Sequence, residues 1–302
     1  MDDAPEFSDF QTWWLHNIIR ITGPISIAGS TMILYSIWGT TKWMTFHKIL
    51  FAMSTVDVLF SFVATLGTIL APRDSGVVGA MGNTATCSLE GFFTLLNIAV
   101  PMYNGTLCIY YLLTIRLSVS QETMILKYEK LLVMTPIAYA LLGCFVSLGF
   151  RAFNVYDFLP GGCFIAEKPL GCSDDPDIEC ERGILPYGLP IEILSWVFLT
   201  FPFLVSLVVV FVCNVLICRT VRANFRPLLT QRRRFNETLS IRIEDKIASV
   251  MSQCFLYVSA FVLVYLPDTI LLLSTRMGSE ELDKKHYPTL LAARFILLLQ
   301  GL

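Results

Sequence analysis

The carboxylate with most potential for chemistry in this sequence is Asp57, which stands inside an apolar stretch of about 22 residues, Ile49–Leu70. A charged side chain near the middle of a bilayer costs roughly 2.5–3.5 kcal/mol on insertion scales, so Asp57 needs polar partners. We predict Asn97 and Asn104 as candidate partners. An ionisable group at such a depth is functional by default. The alternative is a protonated acid that makes one hydrogen bond to a neighbouring helix.

A second group combines acids with aromatic rings: Glu90, Trp196, Tyr265 and Asp268. They lie near the outer ends of apolar stretches and are predicted to surround a pocket. Carboxylates and aromatic faces together favour a cationic or amine ligand. As alternatives, the aromatic residues form an anchoring belt at the membrane interface, and Asp268 caps the end of its helix.

A third group is basic. Arg219, Arg222 and Arg226 follow an i, i+3, i+7 spacing, so they share one face of a helix that continues into the cytoplasm, and Pro227 marks its predicted end. Together with Arg116 they suit an acidic face of a partner protein. Anionic lipid headgroups would fit equally well, at about 1 kcal/mol per residue.

Catalytic chemistry has little support in the sequence. The three histidines, His16, His47 and His286, are scattered, and no nucleophile stands with a base. The nine cysteines contain no C-x-x-C pair with zinc spacing. We therefore expect no enzyme, no cofactor, no metal cluster and no nucleic-acid partner.

Membrane helices must position these groups, because 55% of the 302 residues are apolar and only 15% are charged. A bilayer core of about 30 Å needs about 20 apolar residues per helix. The sequence predicts an all-α bundle of seven transmembrane helices, called here the first to seventh spans, after an extracellular amino terminus of residues 1–20. Their predicted ranges are about 21–38, 49–70, 87–115, 131–150, 191–218, 247–273 and 290–302. The seventh has only about 13 residues before Leu302 and is interpreted as truncated.

Charge and cysteines agree on the orientation. With the amino terminus outside, the inner segments are net positive and the outer segments net negative, as the positive-inside rule requires. Four cysteines then lie on the oxidising side: Cys87, Cys163, Cys172 and Cys180. A bridge from Cys87 to the outer loop after the fourth span is most simply made to Cys163, leaving Cys172 and Cys180 as a pair. Four cysteines allow three complete pairings, and the sequence does not choose among them.

Prolines interrupt several spans. Pro101 and Asn104 are predicted to interrupt the third span. Pro202 and Pro267 each remove a helix hydrogen bond and favour kinks in the fifth and sixth spans. A kink above the basic inner half of the sixth span predicts a hinge, although prolines are frequent in membrane helices generally.

The joint order of these features resembles the G-protein-coupled receptors. The run Leu50–Asp57 resembles the acidic motif of their second helix, and Pro202 lies in the fifth. Phe261–Pro267 resembles the F-x-x-C-W-x-P switch, with Tyr265 in place of the tryptophan. The run Phe46–Ala52 is similar to slime-mould cyclic-AMP receptors and related protist receptors.

The resemblance implies a plasma-membrane receptor that passes the signal of an extracellular ligand to a heterotrimeric G protein by moving the fifth and sixth spans. Switch roles would fall to Asp57, Asn104, Pro202 and Pro267, with a hydrated pocket near Asp57 able to hold a cation. Contacts to the G protein would fall to the four arginines named above. The run Tyr110–Arg116 lacks the D/E-R-Y motif, which indicates a receptor outside the main rhodopsin-like group.

Other seven-helix proteins fit less well. A transporter would show paired inverted repeats, and none is evident. A retinal protein needs a buried lysine in the seventh span. The visible part has Lys284 and Lys285 before that helix and Arg294 within it, and the predicted truncation weakens this exclusion without removing it. A seven-helix transporter or a non-signalling membrane scaffold stays as the alternative.

Overall fold

The structure, a computed structural model, describes residues 9–77, 79–156, 162–169, 172, 177–186, 189–231 and 259. Within these ranges, five helical stretches are long and apolar enough to cross a membrane: Ile18–Trp38, Thr45–Leu70, Thr84–Ile115, Gln121–Gly149 and Glu192–Val221. They correspond to the first five predicted spans and confirm an all-α membrane protein. Apart from residue 259, the sixth and seventh predicted spans lie outside the described residues, and so do Tyr265, Pro267 and Asp268.

The first two spans pack along a polar seam. Helix α1 (Asp9–Trp38) and helix α2 (Thr45–Leu66) approach closely at Gly23, where a Cβ atom would collide with Thr65. Thr22, Ser26 and Ser30 of α1 are buried, whereas large apolar residues such as Met32 are exposed. Small and hydroxyl residues at helix contacts with apolar residues outward are typical of helices that pack in lipid.

The third span is two helices, α3 (Thr84–Leu96) and α4 (Ala99–Ile115). The break falls at Asn97, because Pro101 has no N–H to donate to the Asn97 carbonyl. The Val100 amide donates to that carbonyl instead, at 3.0 Å, which tightens the turn. The predicted interruption at Pro101 and Asn104 is therefore shifted toward the start of the span, and Asn104 itself is helical.

The fourth span begins before its apolar run. Ser120 caps the short helix α5 (Gln121–Thr123), which continues through a π-helical turn (Met124–Tyr128) into α6 (Glu129–Gly149). The buried side chain of Met124 anchors this entry, so polar residues ahead of the predicted start at 131 are helical too.

A two-stranded hairpin follows the fourth span. Strands β1 (Phe153–Tyr156) and β2 (Gly162–Ile165) pair antiparallel, with Phe153 opposite Ile165. Disulfides join Cys87 to Cys163 and Cys172 to Cys180, the simplest of the possible pairings. The first ties β2 to the start of α3. We call this end of the bundle the disulfide end.

The fifth span opens with α7 (Glu192–Ser195) and a π-helical turn (Trp196–Thr200) and continues as α8 (Phe201–Gln231). The π turn lies just ahead of Pro202, whose ring would clash with the carbonyl of Phe198 in a regular helix. Helix α8 runs through Pro227, so the predicted stop there is wrong. One lost hydrogen bond does not end a helix where water can satisfy the freed carbonyl.

Candidate functional site

Asp57 lies at the centre of the polar seam between α1 and α2. Its side chain is only 2% exposed. Oδ2 accepts hydrogen bonds from Ser30 Oγ at 2.5 Å and from Ser26 Oγ at 3.1 Å. Ser61, one turn further along α2, donates to Ser26 Oγ at 3.1 Å. A carboxylate and three hydroxyls thus form one buried network, which we call the seam network.

The serine partners were not predicted. Asn104 donates its side-chain amide to the Val100 carbonyl of its own helix, at 3.3 Å, and Asn97 is buried at the break between α3 and α4. A signal for the serines was present, since Ser26 and Ser30 stand four residues apart on an apolar helix. Spacing of i, i+4 places both hydroxyls on one face.

Chemically, the seam network offers two states of one carboxyl group. Ionised, Asp57 is stabilised by hydroxyl donors, and carboxylate and hydroxyl oxygens are also suitable ligands for a hard cation. Protonated, it becomes a donor in the same network. The cation near Asp57 stays a prediction.

A second buried carboxyl group lies at the disulfide end. Glu90 is one turn after Cys87 on α3 and is 6% exposed. The backbone amide of Cys163 in β2 donates a hydrogen bond to its carboxylate. Among the described residues, Glu90 Oε2 has no hydrogen-bond partner. The hairpin and its disulfide therefore hold a buried acid, one of whose oxygens has no hydrogen-bond partner within the described part of the chain.

The other predicted ligand residues are only partly placed. Trp196 begins the π turn of the fifth span and is 44% exposed. Strand β2 packs against α3 and also against α7, the helix that leads into this turn. Glu90 and the start of the fifth span thus flank the same strand.

The basic residues lie at the opposite end of the bundle. Arg116 follows α4 and is exposed, as is Arg219 on α8. Ile217 and Val221 of α8 are buried against α4. Arg219 stands two residues from each, about 200° around the helix, so it faces away from α4. Arg222 and Arg226 continue α8, and their side chains lie outside the described structure.

Comparisons with known proteins give a fold and no sequence relative. No family model matches the sequence, and no curated protein matches it. Solved structures do match: squid rhodopsin is similar with a TM-score of 0.69, covering 98% of this chain and 77% of the squid chain. The fold is rhodopsin-like. Identity in that comparison is 13%, so the likeness concerns the fold alone, and the resemblance to slime-mould receptors stays a prediction.

The rhodopsin-like bundle carries an ion pair that the sequence did not reveal. At the end opposite the disulfides, Lys48 Nζ lies 2.5 Å from Glu129 Oε1. Thr45 Oγ1 donates to the other oxygen, Glu129 Oε2, at 2.9 Å. These contacts join the first turn of α2 to the first residue of α6. The two charges are 81 residues apart in sequence, a separation at which local patterns carry no pairing information.

The loop that follows the hairpin of the rhodopsin-like bundle is also charged. Lys168 lies 3.5 Å from Asp74 and 4.0 Å from Glu181. Burial lowers the pKa of the Arg182 guanidinium, and the nearby positive charge of Arg151 lowers it further. An arginine starts from so high a pKa that it stays charged at neutral pH, so Arg182 remains a cation.

Proposed function

We propose that the chain is a G-protein-coupled receptor that senses a ligand at the disulfide end and signals at the opposite end. The match to squid rhodopsin over 98% of the chain carries this proposal. The disulfides support an extracellular location for their end, because such bonds persist on the oxidising side. Clustered cations support a cytoplasmic location for the other end. The receptor then lies in the plasma membrane with its amino terminus outside.

The ligand arm of the proposal rests on Glu90. Among the described residues no cation pairs with Glu90, and because an unpaired buried carboxylate is costly, a bound cation would offset that cost. In this proposal the Glu90 carboxylate pairs with the positive charge of a cationic or amine ligand, and Trp196, Tyr265 and Asp268 complete the pocket. A panel of protonated amines, scored by G-protein activation, tests this arm, and Glu90→Gln should abolish any response.

The transmission arm involves the fifth and sixth spans. Ligand binding favours the conformation in which the inner ends of these spans separate, with hinges at Pro202 and Pro267. Asp57 and Asn104 bias that equilibrium from the polar interior. Replacing Asp57 by Asn should alter basal or ligand-driven signalling while surface display is kept, and unchanged signalling would remove Asp57 from the switch.

The partner arm uses the basic end. Arg116, Arg219, Arg222 and Arg226 contact an acidic face of the heterotrimeric G protein. Because Arg219 faces away from α4, anionic lipid competes for the same charge. One measurement distinguishes the two partners. If the arginines contact the G protein, removing them should abolish nucleotide exchange, whereas exchange should persist if they contact only lipid.

The deciding experiment is nucleotide exchange on a panel of purified heterotrimers, added to membranes that contain the full chain. We expect exchange above that of membranes without the chain, and its loss when Arg219, Arg222 and Arg226 are all replaced by Ala. The matched control is Lys168→Ala, which removes a cation from the disulfide end and should leave exchange intact. Absence of exchange with every heterotrimer, despite surface display, would favour a transporter or a non-signalling scaffold.

A further inference from the structure

We infer that Thr45, Lys48 and Glu129, called here the inner clamp, position the loop between the third and fourth spans for the G protein. The inference rests on the proposed function, because it assigns a role in coupling. It concerns positioning residues, since the clamp itself need not touch the partner.

The clamp combines an enclosed carboxylate with a partly exposed cation, since the Lys48 side chain is 37% exposed. The Glu129 side chain is only 13% exposed, and each of its oxygens has a different partner. Thr45 and Lys48 stand three residues apart on α2, so both reach the same carboxylate from one helix face. A carboxylate that is engaged at both oxygens is fixed in orientation as well as in position.

The clamp lies where the loop between the third and fourth spans ends; this loop is residues 116–128, of which 121–128 are the helical entry to the fourth span described above. The loop begins with backbone hydrogen bonds to α4, including one from the Val119 amide to the Leu113 carbonyl at 3.1 Å. It then passes the Ser120 cap and the buried Met124, and the clamp follows directly at Glu129. The loop is therefore fixed at both ends and at its middle.

The fixed loop presents apolar side chains to its surroundings. Leu126 is 86% exposed, and Leu117 and Ile125 are also exposed. Exposed apolar side chains lose less conformational entropy on binding when their backbone is already ordered. An ordered loop should thus bind a partner more tightly than the same loop released from Glu129.

The clamp belongs to spans that the proposed switch does not move. It joins the second and fourth spans, whereas the fifth and sixth separate on activation. Breaking it should weaken the affinity for the G protein and should leave the exchange rate at saturating G protein nearly unchanged. This separates a positioning role from a restraint on activation, which would raise basal exchange when broken.

A charge swap tests the inference in membranes that contain the full chain. Lys48→Glu and Glu129→Lys should each raise the G-protein concentration for half-maximal exchange about tenfold, as expected for losing a hydrogen-bonded charge pair. The double variant, which restores opposite charges, should return to within about twofold of the unmodified chain. Lys42→Glu is the matched control, because it changes net charge equally at an exposed position just before α2.

Thr45→Val gives a milder perturbation in case a charge reversal prevents folding. It should raise the half-maximal concentration by a few fold and should speed amide hydrogen exchange in residues 121–128. An unchanged half-maximal concentration in Lys48→Glu, Glu129→Lys and Thr45→Val would overturn the inference. A rise in basal exchange in these single variants would overturn it too. A chain without exchange on any heterotrimer fails the proposed function itself, which the unmodified chain reports separately.

Discussion

The seam network makes a quantitative prediction that does not depend on function. In Ser30→Ala, Asp57 loses the shorter of the two hydrogen bonds described above, 2.5 Å against 3.1 Å from Ser26. A hydrogen bond to a charged group contributes about 1.5–3 kcal/mol in soluble proteins. Hydrogen bonds between membrane helices average about 0.6 and reach about 1.7 kcal/mol, because helices separated within lipid find other partners.

The range for soluble proteins and the range for membrane helices overlap near about 1.5 kcal/mol. Since both Ser30 and Asp57 are almost fully buried, we expect Ser30→Ala to lower the free energy of unfolding by about 1.5 kcal/mol. Ser26→Ala should lower it by about 1.2 kcal/mol, because it removes two hydrogen bonds of 3.1 Å, one to Asp57 and one from Ser61, each contributing about 0.6 kcal/mol. The assay is unfolding of the purified protein by dodecyl sulfate in mixed micelles, followed by helix content.

A matched control stands on the same helix. Ser36 is exposed, and its hydroxyl donates to the Met32 carbonyl of its own turn at 2.8 Å, so Ser36→Ala should change the free energy of unfolding little. The loss in Ser30→Ala should also shrink when Asp57 is already Asn, as a double-mutant cycle would measure. Equal free energies of unfolding for Ser30→Ala and Ser36→Ala would refute the reasoning.

Two further predictions concern packing and the disulfides. A Cβ atom at Gly143 would lie 2.8 Å from the Phe198 ring, so Gly143→Ala should destabilise the protein by about 1–3 kcal/mol. Gly149→Ala is the control, since nothing lies within 4 Å of its added Cβ. Equal unfolding midpoints for the two variants would contradict this prediction. Cys163→Ser opens a separation of 76 residues and Cys180→Ser one of 8 residues, so the first should lower the thermal midpoint more. The chain-entropy limits are about 4.5 and 2.5 kcal/mol, and the reverse order would show that loop length does not decide the loss.

The first five spans were readable from sequence because lipid imposes a simple rule. A crossing helix needs an uninterrupted apolar run, and that requirement is local. Local rules were less reliable for helix ends and breaks. Pro227 does not end α8. The third span breaks at Asn97, whose carbonyl would accept the hydrogen bond that Pro101 cannot donate.

Contacts between distant residues were out of reach of the sequence. The position of Asp57 deep in an apolar stretch was visible in the sequence, yet its serine partners on α1 are 27 and 31 residues away. Lys48 and Glu129 looked like two ordinary interfacial charges, and only the fold brings them together. The hairpin was missed because its four-residue strands are short and its alternation is weak. The disulfide pairing was foreseen as the simplest option, and geometry had to select it.

The continuation of α8 past the membrane has a mechanical consequence. From the π turn that ends at Thr200 to Gln231 the helix covers 31 residues, which is about 46 Å at about 1.5 Å per residue. A tilt of about 5° about that turn would displace the far end by about 4 Å, while atoms near Pro202 would move by only a few tenths of an ångström. In the proposed receptor this helix would act as a lever whose fulcrum lies close to the disulfide end. A displacement at the proposed ligand side that is too small to disturb packing would then move the far end of the helix, across the bilayer, by the length of a whole side chain.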